Sequence, residues 1–376
     1  MVTEERCGGI AMLLAIGLGM LSANSSLSEL YAVIHHYPLR FGIAPLIVEA
    51  PLIDWINQGL LVIFFFHIGL HTKREMTSGV LSSPARATLP AAAALGGMAA
   101  PALIYLTLNY GDPEALRGWG VPIATDVVLV LGLMSFFGSA VSSGLLAFIT
   151  AVAIFDDLGA VVVIGVFYGE IEVGLPLAAI AAGLLGLAVL NWRSSGTVSL
   201  YLFAGVLLWA GLVGSGLEGA IAGAIIGLAL PSGVFPAGRA ERRLAPVSLF
   251  VVVPAFAFFN AGIPLNEIRA DWYADSVTYG IILALIIGKP IGIMTGTYGA
   301  IWLRVGSLPA GTNWKDAAGA ALFAGIGFTM SLFFVTASFD DPARADAAKL
   351  AVLVGSAASA FLAVLGLILS NRIRAS

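Results

Sequence analysis

The sequence predicts an all-α polytopic membrane protein of about twelve transmembrane helices, and three observations carry that prediction. The 376 residues are 59% hydrophobic and only 11% charged, with a mean hydropathy of +0.97. Water-facing domains carry roughly a quarter charged residues, so this chain lacks the charge to cover a soluble surface. Apolar runs near the spanning length of about 20 residues follow one another with short connections. No linker is long enough to divide the chain, so 1–376 reads as a single transmembrane domain.

Runs bounded by charges or turn residues place helices near 9–28, 54–72, 87–109, 121–137, 144–168, 174–191, 198–213, 217–230, 246–263, 279–302, 316–338 and 349–370. The first follows Glu4, Glu5 and Arg6, lacks a positive lead, and ends at Ser22-Ala23-Asn24, a poor cleavage site. It reads as an uncleaved helix rather than a signal peptide. Between the first two spans, Pro38–Pro51 alternates apolar and polar residues around Gly42 and Pro45. That pattern fits a short extracytoplasmic hairpin or an irregular loop. Abundant glycine fits membrane helices whose backbones approach closely.

Two spans carry interruptions. Val121-Pro122-Ile123-Ala124-Thr125-Asp126 puts a proline and a Thr-Asp pair inside one of them. Ala324-Gly325-Ile326-Gly327-Phe328-Thr329 puts two glycines inside another, in the second half. Broken helices in corresponding positions of two halves point to a transporter site at the membrane midplane.

Basic residues set the orientation. With an even number of spans and the N-terminus inside, the inner loops and tails hold Arg6, Lys73, Arg74, Arg86, Arg193, Arg239, Arg242, Arg243, Arg304, Lys315, Arg372 and Arg374. The outer side holds only Arg40, Arg117, Arg269, Arg344 and Lys349. Both termini are therefore expected in the cytoplasm. The net charge of −4 argues against nucleic acid, which requires a basic stripe. The single Cys7 excludes an internal disulfide and a cysteine-rich metal site. No GxxxxGK[ST] loop is present to cradle a nucleotide.

Asp126, Asp156, Asp157 and Lys289 lie well inside predicted spans. Each costs roughly 2.5–3.5 kcal/mol at a helix centre, which makes each a candidate for function. Three acids and one base leave an excess of negative charge that invites protons or a metal cation. Carboxylates and carbonyls are hard oxygen ligands, suited to alkali or alkaline-earth ions. Neighbours on a helix point about 100° apart, so Asp156 and Asp157 are expected to differ in role. One would face an ion cavity while the other meets Lys289 or the cytoplasmic funnel.

At this point an ordered set of motifs resembles the NhaA-type sodium/proton antiporters. The set comprises Gly8-Gly9-Ile10, Ser22-Ala23-Asn24, Asp54-Trp55-Ile56-Asn57, Gly69-Leu70-His71-Thr72-Lys73-Arg74-Glu75, Ala124-Thr125-Asp126, Ile154-Phe155-Asp156-Asp157-Leu158-Gly159-Ala160, Phe256-Ala257-Phe258-Phe259-Asn260-Ala261-Gly262, Gly288-Lys289-Pro290 and Gly325-Ile326-Gly327-Phe328-Thr329-Met330-Ser331. The resemblance covers nearly the whole chain. It implies an inverted-topology repeat with discontinuous, crossed fourth and eleventh helices, broken at Pro122 and at Gly325, Gly327 and Thr329. It implies a secondary transporter rather than an enzyme, residing in a bacterial-type cytoplasmic (inner) membrane. Internal Na⁺ or Li⁺ would leave in exchange for external protons, two per cation and electrogenic, with no cofactor.

By position, Asp157 resembles the principal cation and proton carrier, and Asp156 would pair with Lys289 or hand protons to it. Thr125 and Asp126 would help to line a Na⁺ site with Asp157 and balance the helix-end dipoles. The hairpin at 38–51 sits where family members make a homodimer contact. The chain departs from the family at His71, where a glutamate is usual, and at Glu218, where a histidine is common; the loop 231–246 also lacks histidine. His67, His71, Glu75 and Glu218 are thus the candidates for pH sensing. His67 and His71 share a helical face, with no further ligands nearby for zinc. The competing readings fit less well. An intramembrane aspartyl protease would put its acids on separate helices with a GxGD segment, and none occurs. A sodium-coupled solute symporter would not need Lys289.

Overall fold

The computed structural model describes residues 2–43, 46–138, 141–169, 174–193, 195–231, 237–266, 268, 272–309 and 311–375. Among the described residues, nine helices are long and apolar enough to cross a bilayer. A bent pair, Trp314–Phe323 and Phe328–Ser338, passes that test jointly, and two shorter apolar helices cover Val198–Gly214 and Ala220–Ala229. The protein is an all-α polytopic membrane protein.

Several helices start before the hydropathy reading places them. The first helix covers Val2–Ala23 rather than 9–28, and a separate short helix, Ser28–His35, follows it. The ninth predicted span begins at Ala237 rather than 246, and the last at Pro342 rather than 349. A spanning helix does not stop where apolar residues stop. Its first turns run on through the charged interface, where backbone bonds are still worth making and Arg and Lys reach water. Apolar runs therefore mark the lipid-buried part and not the helix.

Pro38–Ile43 and Leu46–Pro51 pair as antiparallel strands, with Arg40 opposite Glu49 and their side chains 2.9 Å apart. Pro45 and the outer basic residue Arg269 lie outside the described residues.

The chain forms two compact units. The first comprises Met1–Ile10, Ser78–Val163 and Ile263–Ser376, and it holds the buried Asp126, Asp156, Asp157 and Lys289. Its principal packing is between Pro84–Leu108 and the helix Ser276–Trp302. A Cβ on Gly96 would strike the Gly292 carbonyl, and one on Gly292 would strike the Gly96 carbonyl. Only glycine permits that backbone approach.

At one end of this unit, Asp112 caps the Pro113–Leu116 turn by accepting the Glu114 and Ala115 N–H groups. The Ala115 bond above all, together with the Arg344 guanidinium, holds the Asp112 carboxyl below the usual carboxylate range. Arg344 also reaches Glu114, and Arg117 reaches Asp340, each at about 3 Å. These pairs tie the approaches to both interrupted spans.

The second unit, Ala11–Thr77 and Ile164–Gly262, packs by the same device, with Gly69 against the Gly227 backbone. The Asn57 and Asn260 side-chain amides bond each other between buried faces of Leu52–Ser78 and Gly238–Ala261. The Tyr31 hydroxyl lies within hydrogen-bond reach of the Phe258 and Phe259 carbonyls at the end of the latter helix, its one proton serving one of them.

Candidate cation site

Both interruptions are real breaks. Pro113–Ser135 contains a 3₁₀ stretch, Arg117–Ile123, which gives way to extended backbone at Ala124 and Asp126 before Val127–Ser135 resumes as α-helix. Pro122 cannot donate to a helical ladder, and Thr125 and Asp126 hold the exposed backbone ends. The second span stops at Phe323 and restarts at Phe328, bent by 48°. Gly325 and Gly327 lie in that gap, where a Cβ on Gly325 would strike the Leu285 carbonyl and one on Gly327 the Ser331 hydroxyl.

The breaks face each other and satisfy each other's backbone. The Asp126 N–H donates to the Ile326 carbonyl at 2.7 Å, and the Ser331 hydroxyl donates to the Val121 carbonyl at 2.6 Å. The Asp126 carboxylate accepts the Leu129 N–H at 3.0 Å and, through its other oxygen, the Thr329 N–H at 2.9 Å and hydroxyl at 2.6 Å. One side chain thus caps the positive ends of both half-helices, where N–H groups have no intrahelical acceptor. At the opposing carbonyl ends, Thr125 donates toward Ala324 and Lys289 donates to Ile123.

Lys289 is fully buried at the close of a π-helical stretch, Ala284–Gly288. Its ammonium lies 2.7 Å from Asp156 Oδ2. The Thr125 hydroxyl lies 2.7 Å from the same oxygen, and its single proton serves Asp156 or Ala324, not both. Asp157 is different. It is 97% buried, its Oδ1 has no hydrogen-bond partner, and its charged neighbours are Asp156, Asp126 and Lys289. Asp156 and Asp157, adjacent on Ser143–Phe167, therefore have separate environments. Oδ1 of each lacks a hydrogen-bond partner, but the first is paired with a lysine through Oδ2, whereas the second sits beside two acids. Thr125 meets Asp156 in this geometry, while Asp126 meets Thr329. Among the described residues, no three His, Cys, Asp or Glu side chains gather as a resident metal would require. Any ion here would draw on carboxylate, hydroxyl and backbone oxygens, the donor set of an alkali cation.

A family model described as Na⁺/H⁺ antiporter 1 matches residues 1–367. The chain belongs to that family. It is 41% identical over 367 residues to the Na⁺/H⁺ antiporter NhaA of Shewanella sp. (strain MR-4), covering 96% of this chain and 94% of that relative. Against the NhaA antiporter of Shewanella amazonensis the identity is 40%, over 97% and 94% of the two chains. In fold it is similar to the sodium proton antiporter of Methanocaldococcus jannaschii, with a TM-score of 0.54 over 95% of this chain and 92% of that one, at 15% identity.

In this member of the Na⁺/H⁺ antiporter 1 family, the sequence-derived pH candidates fall into two groups. His71 Nδ1 lies 2.9 Å from Glu241 Oε1 and 3.2 Å from an Arg74 nitrogen. Arg74 also pairs with Glu241 at 2.8 Å and with Glu75 at 3.1 Å. His67, one turn earlier, lies within electrostatic reach of His71, Glu241 and Arg74. Glu218 is engaged elsewhere. It accepts from the Gln58 amide at 2.7 Å, while Gln58 accepts the Gly219 N–H and its carbonyl accepts the Trp209 indole.

Sequence reasoning missed Glu241, the acid at the centre of the His71 cluster, and Gln58, the partner of Glu218. A signal for Glu241 existed. It is the one acid in the run Arg239-Ala240-Glu241-Arg242-Arg243, and helical spacing turns it away from the exposed arginines on either side.

Proposed function

We propose that this chain is a secondary active antiporter that exports cytoplasmic Na⁺ or Li⁺ in exchange for external protons by alternating access. The observation that carries the reading is Asp157, a buried acid with an unpartnered oxygen beside a lysine already committed to Asp156. A buried carboxylate without a counter-charge is costly, and a proton or a bound cation relieves the same cost. The two therefore compete for one group. Loading Na⁺ from the cytoplasm displaces protons, and protonation on the far side displaces Na⁺, so the fluxes couple with no nucleotide and no cofactor. Asp157, Asp126 and backbone oxygens of the breaks would hold the ion, with Thr125 and Asp156 beside them. Two protons per cation, which makes exchange electrogenic, accords with Asp157 and the Asp156–Lys289 pair each giving one.

The direct test uses purified protein in liposomes with an internal pH dye and an imposed pH gradient. NaCl and LiCl should collapse the gradient while KCl does not; no cation response between about pH 6 and 9 removes the reading.

The basic-residue asymmetry supports a cytoplasmic location for both termini in a bacterial-type inner membrane. The paired strands Pro38–Ile43 and Leu46–Pro51 support a homodimer, built by strand addition across an exposed edge. Crosslinking in native membranes should then trap dimers that disappear when 38–51 is replaced by a flexible linker.

The pH response is proposed to run through His71. Its Nδ1 stands between the Glu241 carboxylate and an Arg74 nitrogen in a cluster that also includes Glu75 and His67. His71→Glu places a second carboxyl against Glu241. The activity profile should move along the pH axis, and an unmoved profile would remove His71 from the mechanism.

A further inference from the structure

The C-terminal helix, Pro342–Ala375, carries two buried serines, Ser356 and Ser359. Three residues apart, they share one face of that helix. Ser356 Oγ accepts the Gly327 N–H at 3.2 Å. Ser359 Oγ points at the Leu285 carbonyl from 3.4 Å, a long contact for a hydroxyl.

Both targets sit next to the site. Gly327 is the residue before Phe328–Ser338, where N–H groups lack intrahelical acceptors, and two residues before Thr329, which binds Asp126. Leu285 lies within the π-helical stretch that ends on Lys289, and one turn separates the two residues. Such stretches widen the helix and re-aim the side chain that follows. The junction leaves little slack. A Cβ on Gly325 would meet Ser359 Oγ and the Leu285 carbonyl, and one on Gly355 would meet Leu285 and Ile282.

We infer that Ser356 and Ser359 are positioning residues for the cation site. Ser356 fixes the second break by supplying the acceptor that its first free N–H requires. Ser359 steadies the π-helical turn that directs Lys289 onto Asp156. Both act through other residues, Gly327 and Leu285. The transport consequence rests on the antiporter reading above, whereas the structural role does not.

Amide hydrogen exchange on the purified protein tests the role without transport. Ser356→Ala should speed exchange in the segment 325–329 about tenfold, while Ser356→Thr, which keeps the hydroxyl, retains protection. In liposomes, Ser356→Ala should raise the apparent KM for Na⁺ about three- to tenfold with little change in maximal rate, and Ser356→Thr should restore it. Should the alanine variant fail to reach the membrane, Ser356→Cys, a weaker acceptor, makes the same comparison. Ser359→Ala should shift the pH profile of exchange while leaving protection at 325–329 in place. Wild-type protection in Ser356→Ala, or identical behaviour of the alanine and threonine variants, overturns the role of Ser356. An unshifted profile overturns that of Ser359. If the wild type moves no cation, the antiporter reading fails and amide exchange decides the serines, Ser356 by protection at 325–329 and Ser359 by faster exchange at 284–289 in Ser359→Ala, whose absence overturns it.

Discussion

Asp157→Asn is expected to lower Na⁺-driven proton movement by more than about 100-fold, the equivalent of losing one charged ligand worth roughly 3 kcal/mol. The substitution keeps the side chain's shape and removes its charge. An amide neither takes up a proton in this range nor neutralises a cation, so both competing states of the group vanish together. The variant should nonetheless fold. Asp157 Oδ1 has no hydrogen bond to lose, and an amide is cheaper to bury than a carboxylate. Its thermal midpoint should therefore equal or exceed that of the wild type. That combination, silent transport with undiminished stability, separates a carrier from a structural acid. Transport within twofold of the wild type would assign the coupling to another group. Asp126→Asn makes the contrast plain, because Asp126 caps two half-helices through bonds to Leu129 and Thr329, and its loss would disturb the breaks themselves.

How much of this was legible in the sequence depends on the distance over which each feature is determined. Spans are local, since about 20 apolar residues declare themselves without reference to the rest of the chain. So are the four charges at Asp126, Asp156, Asp157 and Lys289, because hydrocarbon makes any charge conspicuous. The breaks were visible in Pro122 and in the Gly325 and Gly327 pair. Pairings were legible only through the family resemblance, which implied that Asp156 meets Lys289. That the Lys289 ammonium also serves the Ile123 carbonyl, and that Asp126 meets Thr329, depends on segments remote in sequence.

Helix ends were misplaced for a different reason, because hydropathy reports lipid contact whereas helices continue through the interface, as at Ala237 and Pro342. Glu241 escaped because it sits in that interface, where a charge attracts no notice until its burial against His71 and Arg74 is seen. Ser356 and Ser359 escaped because serine in a membrane helix is ordinary. Only their contacts to Gly327 and Leu285 distinguish them.

Lys289→Ala should be the most destabilising single change among the site residues. It leaves Asp156 buried with its partner gone and strips the Ile123 carbonyl of a donor. Breaking a buried pair from one side costs about 3–5 kcal/mol, mostly the penalty of the charge left behind. In detergent this should appear as a fall of roughly 5 °C or more in the thermal midpoint. The double change Lys289→Ala with Asp156→Asn removes the stranded charge along with its partner, and it should recover most of that loss. A cycle of the two single variants and the double then reads how strongly the groups are coupled. Strong coupling with restored stability would show that the pair exists to hold the first break against the Ser143–Phe167 helix. If the double variant is no more stable than Lys289→Ala alone, the lysine's contribution lies in its bond to Ile123 and its packing, and Asp156 is free of it.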